Sequence, residues 1–154
     1  MYDGVSGVVW RVSAYAIARR DGRVLVMEPV YPPGRWDLPG GGVDPGETLA
    51  EGVTRECWEE TGHRFVAAPG PVVHFLGEAR FYLEPALEPA PSPYRHSLLF
   101  AVEGTANPDP AWQGAPGETR RVAWIDPGEL SERNVHPKHW LALALAGLVR
   151  VSDP

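Results

Sequence analysis

Apolar residues recur loosely at every other position along residues 8–18, the period of a half-buried strand. Asp21-Gly22 follows, a dipeptide that reaches positive φ easily and closes a two-residue hairpin, so Val24, Leu25, Val26 and Met27 read as the returning strand. Tyr31-Pro32-Pro33-Gly34 is a loop, because its prolines offer no backbone donors. Trp36-Asp37-Leu38-Pro39 reads as short and extended and leads into Gly40-Gly41-Gly42, a backbone with no side chain to obstruct close approach. The pattern then changes period. Thr48 with Glu51 three residues later is a capping-box signal, Ala50, Val53 and Cys57 fall on one helical face, and Gly62 is placed to end the helix in a left-handed conformation.

Downstream, 72–82 and 95–103 are predicted strands, with Phe75, Leu98, Leu99 and Phe100 as core residues. The proline- and alanine-rich stretch Glu84–Pro93 between them is expected to be a loop or a polyproline-like arm. A second Gly/Pro-rich loop covers about 104–117, Val122–Ile125 is a short strand, and Pro137 opens a last helix running to about Val149. Strands interleaved with two good helices imply a mixed sheet covered by helices, and no internal repeat is present. We therefore expect one α/β domain spanning 1–154.

Composition narrows the function classes. A chain of 154 residues with 44% apolar content buries about 70% of the surface its unfolded form exposes. No apolar run approaches the roughly 18 residues of a membrane span, and no basic-then-apolar leader opens the chain, so a membrane partner is not expected. The single cysteine, Cys57, allows no intrachain disulfide, which fits a cytoplasmic setting. The net charge of −6 argues against a binder of long nucleic acids. That charge is concentrated: 41–62 holds six acids against one base, Arg55.

Within that stretch Glu56, Glu59 and Glu60 stand at i, i+3 and i+4 of the predicted helix and project from one side. Three such glutamates raise one another's pKa and strain the helix. A solvated acidic face is the plainer account of the three alone. A hard divalent ion such as Mg²⁺ takes oxygen ligands and would relieve the conflict. It would also admit an anionic diphosphate, polarise a phosphoryl oxygen and acidify a bound water. The wider spacing decides between the two. From Gly41 the chain reads G-x5-E-x7-R-E-x-x-E-E-x-G, filled by Gly41, Glu47, Arg55, Glu56, Glu59, Glu60 and Gly62. At average composition that pattern arises by chance in well under roughly one in a million chains of this length.

This motif resembles the signature of the Nudix hydrolases, and the preceding Leu38-Pro39-Gly40-Gly41 is typical of the same family. The motif covers about a seventh of the chain. The resemblance implies an α/β/α sandwich in which the motif forms a loop–helix–loop. It also implies hydrolysis of a nucleoside diphosphate linked to another moiety, with Mg²⁺, or Mn²⁺ as a substitute, as cofactor. By position, Glu56, Glu59 and Glu60 would be metal ligands, joined by the Gly40 carbonyl. Glu47 would support the metal network or a water, and Arg55 would hold a glutamate by a charge-assisted hydrogen bond. Cys57 and His63 stand where bulky aliphatics are usual. We read Cys57 as a small packed hydrophobe and His63 as half-exposed just past the helix end.

Members of the family often bring a further acid from a later loop. Glu118, six residues before Trp124, resembles that placement in MutT-type members and is our choice as a further ligand or general base; Glu78 and Glu103 are weaker alternatives. Arg95, in Arg95-His96 ahead of an apolar run, also resembles MutT-type members and is a candidate contact to base or phosphate. Tyr82 stands only approximately where dinucleoside polyphosphate enzymes carry a tyrosine. Tyr31, Trp36, Phe81 and Tyr94 are other aromatics available to stack a base. His136 and His139 flank the start of the last helix and suit capping or the surface better than metal binding.

The expected partner is a small nucleotide-like diphosphate, with a lean to nucleoside triphosphates; a homodimer is the default assembly. The alternatives are ADP-ribose, nucleotide sugars, dinucleoside polyphosphates, a non-nucleotide polyphosphate, or a nucleotide-binding regulator without catalysis.

Overall fold

Two residues at positive φ, Asp21 at 51° and Gly22 at 75°, turn β1 (Val9–Arg20) back as β2 (Arg23–Pro29), the primed hairpin turn that Asp-Gly predicts. The structure, a computed structural model, describes residues 9–70, 72–82, 94–114 and 117–152, and of Val9, Phe81 and Tyr82 the backbone only. β1 is the central strand. It pairs in parallel with β6 (Tyr94–Pro108), from Val9 opposite Arg95 to Ala18 opposite Gly104. It pairs antiparallel with β3 (Gly40–Gly42), which sets Tyr15 opposite Gly40 and Ser13 opposite Gly42. β2 continues to β7 (Thr119–Ile125). On the other flank, β4 (His63–Ala67) and β5 (Val73–Tyr82) both lie antiparallel to β6 and share its length between them.

The period of two along β1 divides the core into two layers. Ala14, Ala16 and Ala18 pack with Val53, Cys57, Phe65 and Val102 under α1 (Leu49–Thr61). Tyr15 and Ile17 face the opposite way, with Leu38, Leu76, Leu99 and Leu143, the last from α2 (Pro137–Leu145). The result is the α/β/α sandwich that the motif implied. Small alanines on the α1 side let that helix approach the sheet closely; the larger side chains fill the α2 side. Each fully buried Leu or Ile contributes about 1.5–3 kcal/mol.

Several elements differ from the sequence expectation. β4 was not expected. Its five residues follow the helix at once and pair with Gly104–Pro108, the far end of β6, where the Gly/Pro content predicts a loop. Gly104 permits this: a Cβ there would lie 2.2 Å from the Val66 carbonyl oxygen. His63, expected half-exposed, is buried at the start of β4. Phe75, expected in the core, is 57% exposed. A bulge between Phe75 and Gly77 shifts the register, so Leu76 takes the core position. Leu98 is only half-buried, as is Ala50, and Gly52 and Thr61 complete the buried face of α1 instead. β7 begins at Thr119, three residues early, and α2 ends at Leu145 ahead of Gly147 at φ 77°. The Glu84–Pro93 arm lies outside the described residues. No described helix is long and apolar enough to cross a membrane.

Candidate active site

The site begins with backbone that only glycine can supply. Gly40 sits at φ 154°, and a Cβ there would fall 2.2 Å from the Ala14 carbonyl oxygen and 2.6 Å from Tyr15 Cα. Its N–H donates to Glu60 Oε1 at 2.8 Å, which ties the loop to α1. Gly41 is less tightly confined: its Cβ would approach the Glu56 carboxyl carbon at 3.0 Å. The helix itself is capped at both ends. Thr48 Oγ1 accepts from the Glu51 N–H at 3.1 Å, and Gly62, at φ 70°, sends its N–H to the Trp58 carbonyl.

Arg55 organises the acids. It donates from Nε and Nη2 to the two Glu47 oxygens, each at 2.9 Å, a bidentate pair. It also donates to the Gly42 carbonyl at 2.9 Å, to Glu56 at 3.1 Å and to Glu59 at 3.5 Å. Glu47 further accepts the Asp44 N–H at 2.7 Å. The Arg55 bond, with that N–H, holds the Glu47 carboxyl below its usual range. The remaining acids are less well matched. Burial pushes Glu56 up despite Arg55, and Glu59 and Glu118 add to the rise. Burial pushes Glu60 further, to about 8; the Gly40 N–H opposes this, and Glu56, Glu118 and Asp37 reinforce it.

Glu118 lies in the loop before β7, its carbonyl accepting the Val30 N–H at 3.1 Å. With Trp58, Glu59, Trp112 and Gln113 it lines a cleft of about 550 Å³, and its charge is felt at both Glu56 and Glu60. Arg95 is not brought to this group: it pairs with Val9, six positions along β1 from the Tyr15–Gly40 pair, roughly 20 Å at strand rise. Tyr82 lies beside it in register, opposite Tyr94, with its side chain outside the described residues. Glu78 is bonded to His96, and Glu103 to Arg19 and His74, both away from α1. His136 caps α2, accepting the Lys138 N–H, whereas His139 is 1% exposed and packs edge-on against Tyr15.

This arrangement of a glycine segment clasped to a half-buried acidic helix is matched by sequence. The sequence pattern of the NUDIX domain covers residues 9–145 of the chain. The chain belongs to the Nudix hydrolase family. It is 34% identical over 115 residues to the nucleoside triphosphatase NudI of Salmonella typhimurium, a match that takes in 72% of this chain and 77% of that protein. It is 29% identical to a MutT-like protein of Streptomyces ambofaciens over 78% of this chain and 66% of that one, just under two thirds of the relative's length. In fold it resembles a MutT Nudix hydrolase from Burkholderia pseudomallei, with a TM-score of 0.58 at 23% identity over 88% of this chain and 96% of that one. It likewise resembles a MutT protein from Methanosarcina mazei Go1, with a TM-score of 0.58 at 25% identity over 90% and 93% of the two chains. Nudix hydrolases are pyrophosphohydrolases that act on small nucleotides and use divalent cations.

The donor set fits such a cation. It is all oxygen, it carries excess negative charge in a partly buried setting, and Gly41 leaves room beside the Glu56 carboxylate. Glu56 is turned to Arg55 and Glu60 to Gly40. Among the described residues no three His, Cys, Asp or Glu side chains form a closed ligand set. An ion that keeps several waters needs no such cage.

Sequence reasoning missed three participants. Arg11 lays its guanidinium over Gly42, where a Cβ would meet it at 2.3 Å. Asp109 joins the loop after β6 to the end of α1 by accepting from Trp58 Nε1 at 3.0 Å and Arg64 Nε at 2.9 Å. Trp112, the one aromatic in a loop of small residues, was the visible signal for that cleft.

Proposed function

We propose that this Nudix chain hydrolyses a nucleoside triphosphate to the monophosphate and pyrophosphate with Mg²⁺. In this reading Glu56, Glu59 and Glu60 hold the ion together with the Gly40 carbonyl. The observation that carries the reading is the pair Glu56 and Glu60, both half-buried and both pushed up in pKa, beside a cleft that Glu59 and Glu118 share. When bound, the cation supplies Lewis acidity to the phosphoryl oxygens and lowers the pKa of water.

The chain's own residues do the rest. Arg55 fixes Glu47 and Glu56 in place, so the acids face the substrate without spreading. Gly40 holds Glu60 through its N–H. Glu118 reaches from the loop before β7 to orient the attacking water and take its proton. The lean to triphosphates draws on the likeness to NudI, named a nucleoside triphosphatase. Cytoplasmic residence and a homodimer remain parts of this proposal.

The test is a phosphate-release screen of the purified protein with Mg²⁺ over nucleoside triphosphates, ADP-ribose, nucleotide sugars and dinucleoside polyphosphates, with and without added pyrophosphatase. A signal from triphosphates that requires pyrophosphatase is the expected result. Direct release of orthophosphate from triphosphates, or activity confined to another class, would contradict it.

A further inference from the structure

The cleft beside Glu59 has a built wall. The Trp112 indole Nε1 donates to the Glu59 carbonyl at 3.3 Å, and its backbone N–H donates to the Asp109 carbonyl at 3.1 Å. The ring lies against the bare Cα of Gly62, where a Cβ would come within 2.5 Å of it. Asp109 pins the loop in turn: its N–H donates to the Gly62 carbonyl at 2.8 Å, and its carboxylate accepts from the Ala111 N–H, Trp58 Nε1 and Arg64 Nε. Those bonds keep the Asp109 carboxyl below its usual range. The indole is thus held in place before any ligand arrives, so little ordering entropy is lost when something stacks on it.

The lining tells what that ligand is. Among the described residues no cationic side chain faces the cleft, and Glu59 and Glu118 both do, so it repels a phosphate. An indole, the Ala111 methyl and the Gln113 amide instead suit a neutral planar ring with hydrogen-bonding edges. The volume of about 550 Å³ falls among ligand pockets, which span about 300–1,000 Å³. Glu59 belongs both to this wall and to the acid cluster, so a ring seated here leaves its phosphates over α1.

We propose that Trp112 stacks the nucleobase of the substrate and that the loop 109–114 sets base preference, an inference that rests on the nucleotide reading above. Trp112→Ala should raise KM for the nucleoside triphosphate about tenfold, in line with base–aromatic stacking, with little change in kcat. Trp112→Phe, which keeps a ring, should restore most of that loss. Inhibition by inorganic tripolyphosphate, which has no base, should be the same in all three proteins. Unchanged KM in Trp112→Ala, an equal loss in Trp112→Phe, or an equal weakening of tripolyphosphate would overturn the proposal. Calorimetry with nucleoside monophosphates separates this from the activity itself. If the wild type hydrolyses no triphosphate, the functional reading fails. The cleft proposal then stands if monophosphate binding is lost in Trp112→Ala and retained in Trp112→Phe, and falls if all three bind alike.

Discussion

On one side of the sheet, α1 and the loop before it set Glu47, Glu56 and Glu59 around a single base, Arg55, with Glu60 beside them. On the other, the start of α2 and residues 35–37 set Arg35, Lys138, His136 and His139 around a single carboxylate, Asp37. Burial drives both groups towards neutrality. It pushes Asp37 up against the pull of Arg35, Lys138 and His136, and it pushes His136 and His139 down, with Lys138 helping. The difference lies in how far each must move. A histidine is neutral at pH 7 with almost no shift from its reference of about 6.5, whereas a glutamate must climb about three units from near 4.3. The histidine side absorbs its excess charge by itself. The glutamate side does not, and in the proposed reading a divalent cation completes it.

The largest effect should follow from removing that cation's ligands. Glu59→Gln or Glu60→Gln should lower kcat about a thousandfold or more, the scale of the several kcal/mol a metal ion supplies, with folding intact by circular dichroism. Wild-type turnover in either variant would sink the ligand assignment.

Next comes the base that serves the acids. Arg55→Ala should cost about 10–100-fold in activity or metal affinity, as loss of an orienting partner does. Arg55→Lys should recover little, because lysine cannot reproduce the paired bonds to Glu47. Full recovery with lysine would mean that charge alone matters there.

Stability against pH separates Glu60 from the histidines by sign. The folded Glu60 keeps a proton up to about 8 that the unfolded chain releases near 4.5, so its contribution falls as pH climbs through that window. The depressed His63, His136 and His139 act oppositely: their contribution is whole above about 6.5 and is lost as pH falls below it. Denaturation curves across the range, with EDTA or with Mg²⁺, should show Mg²⁺ lifting the alkaline side and leaving the acid side alone. An equal lift on both sides would contradict the comparison.

Two smaller changes sharpen it. Asp37→Asn removes a carboxylate whose charge burial already disfavours, so it should raise stability slightly, by no more than about 1 kcal/mol, with turnover nearly unchanged. Thr48→Ala removes the N-cap of α1 and should cost about 1 kcal/mol, read from the denaturation midpoint, with turnover per folded molecule preserved.

The same contrast governs what could be read from the sequence. The α1 site is local. Gly40 to Gly62 form one short strand, one loop and one helix, so spacing alone puts Glu56, Glu59 and Glu60 on one side, and the caps Thr48 and Gly62 mark the helix ends. The second cluster joins residues about a hundred positions apart, and only the sheet brings Asp37 to His139. His63 was misjudged for the same reason. Its neutral tautomer, with Nδ1 donating to the Thr61 carbonyl and Nε2 accepting from Trp124 Nε1, is fixed by a partner 61 residues away. β4 escaped because five alternating residues beside a helix end carry little periodicity, and Phe75 because a bulge reverses the alternation on which its placement relied.

Whether the α1 acids hold a divalent cation is tested, without any substrate, by Mn²⁺ binding followed by electron paramagnetic resonance. Wild-type protein should bind Mn²⁺, Mg²⁺ should displace it, and Glu60→Gln should weaken binding about tenfold or more. Binding that is absent in the wild type, or undiminished in Glu60→Gln, would contradict the ligand assignment.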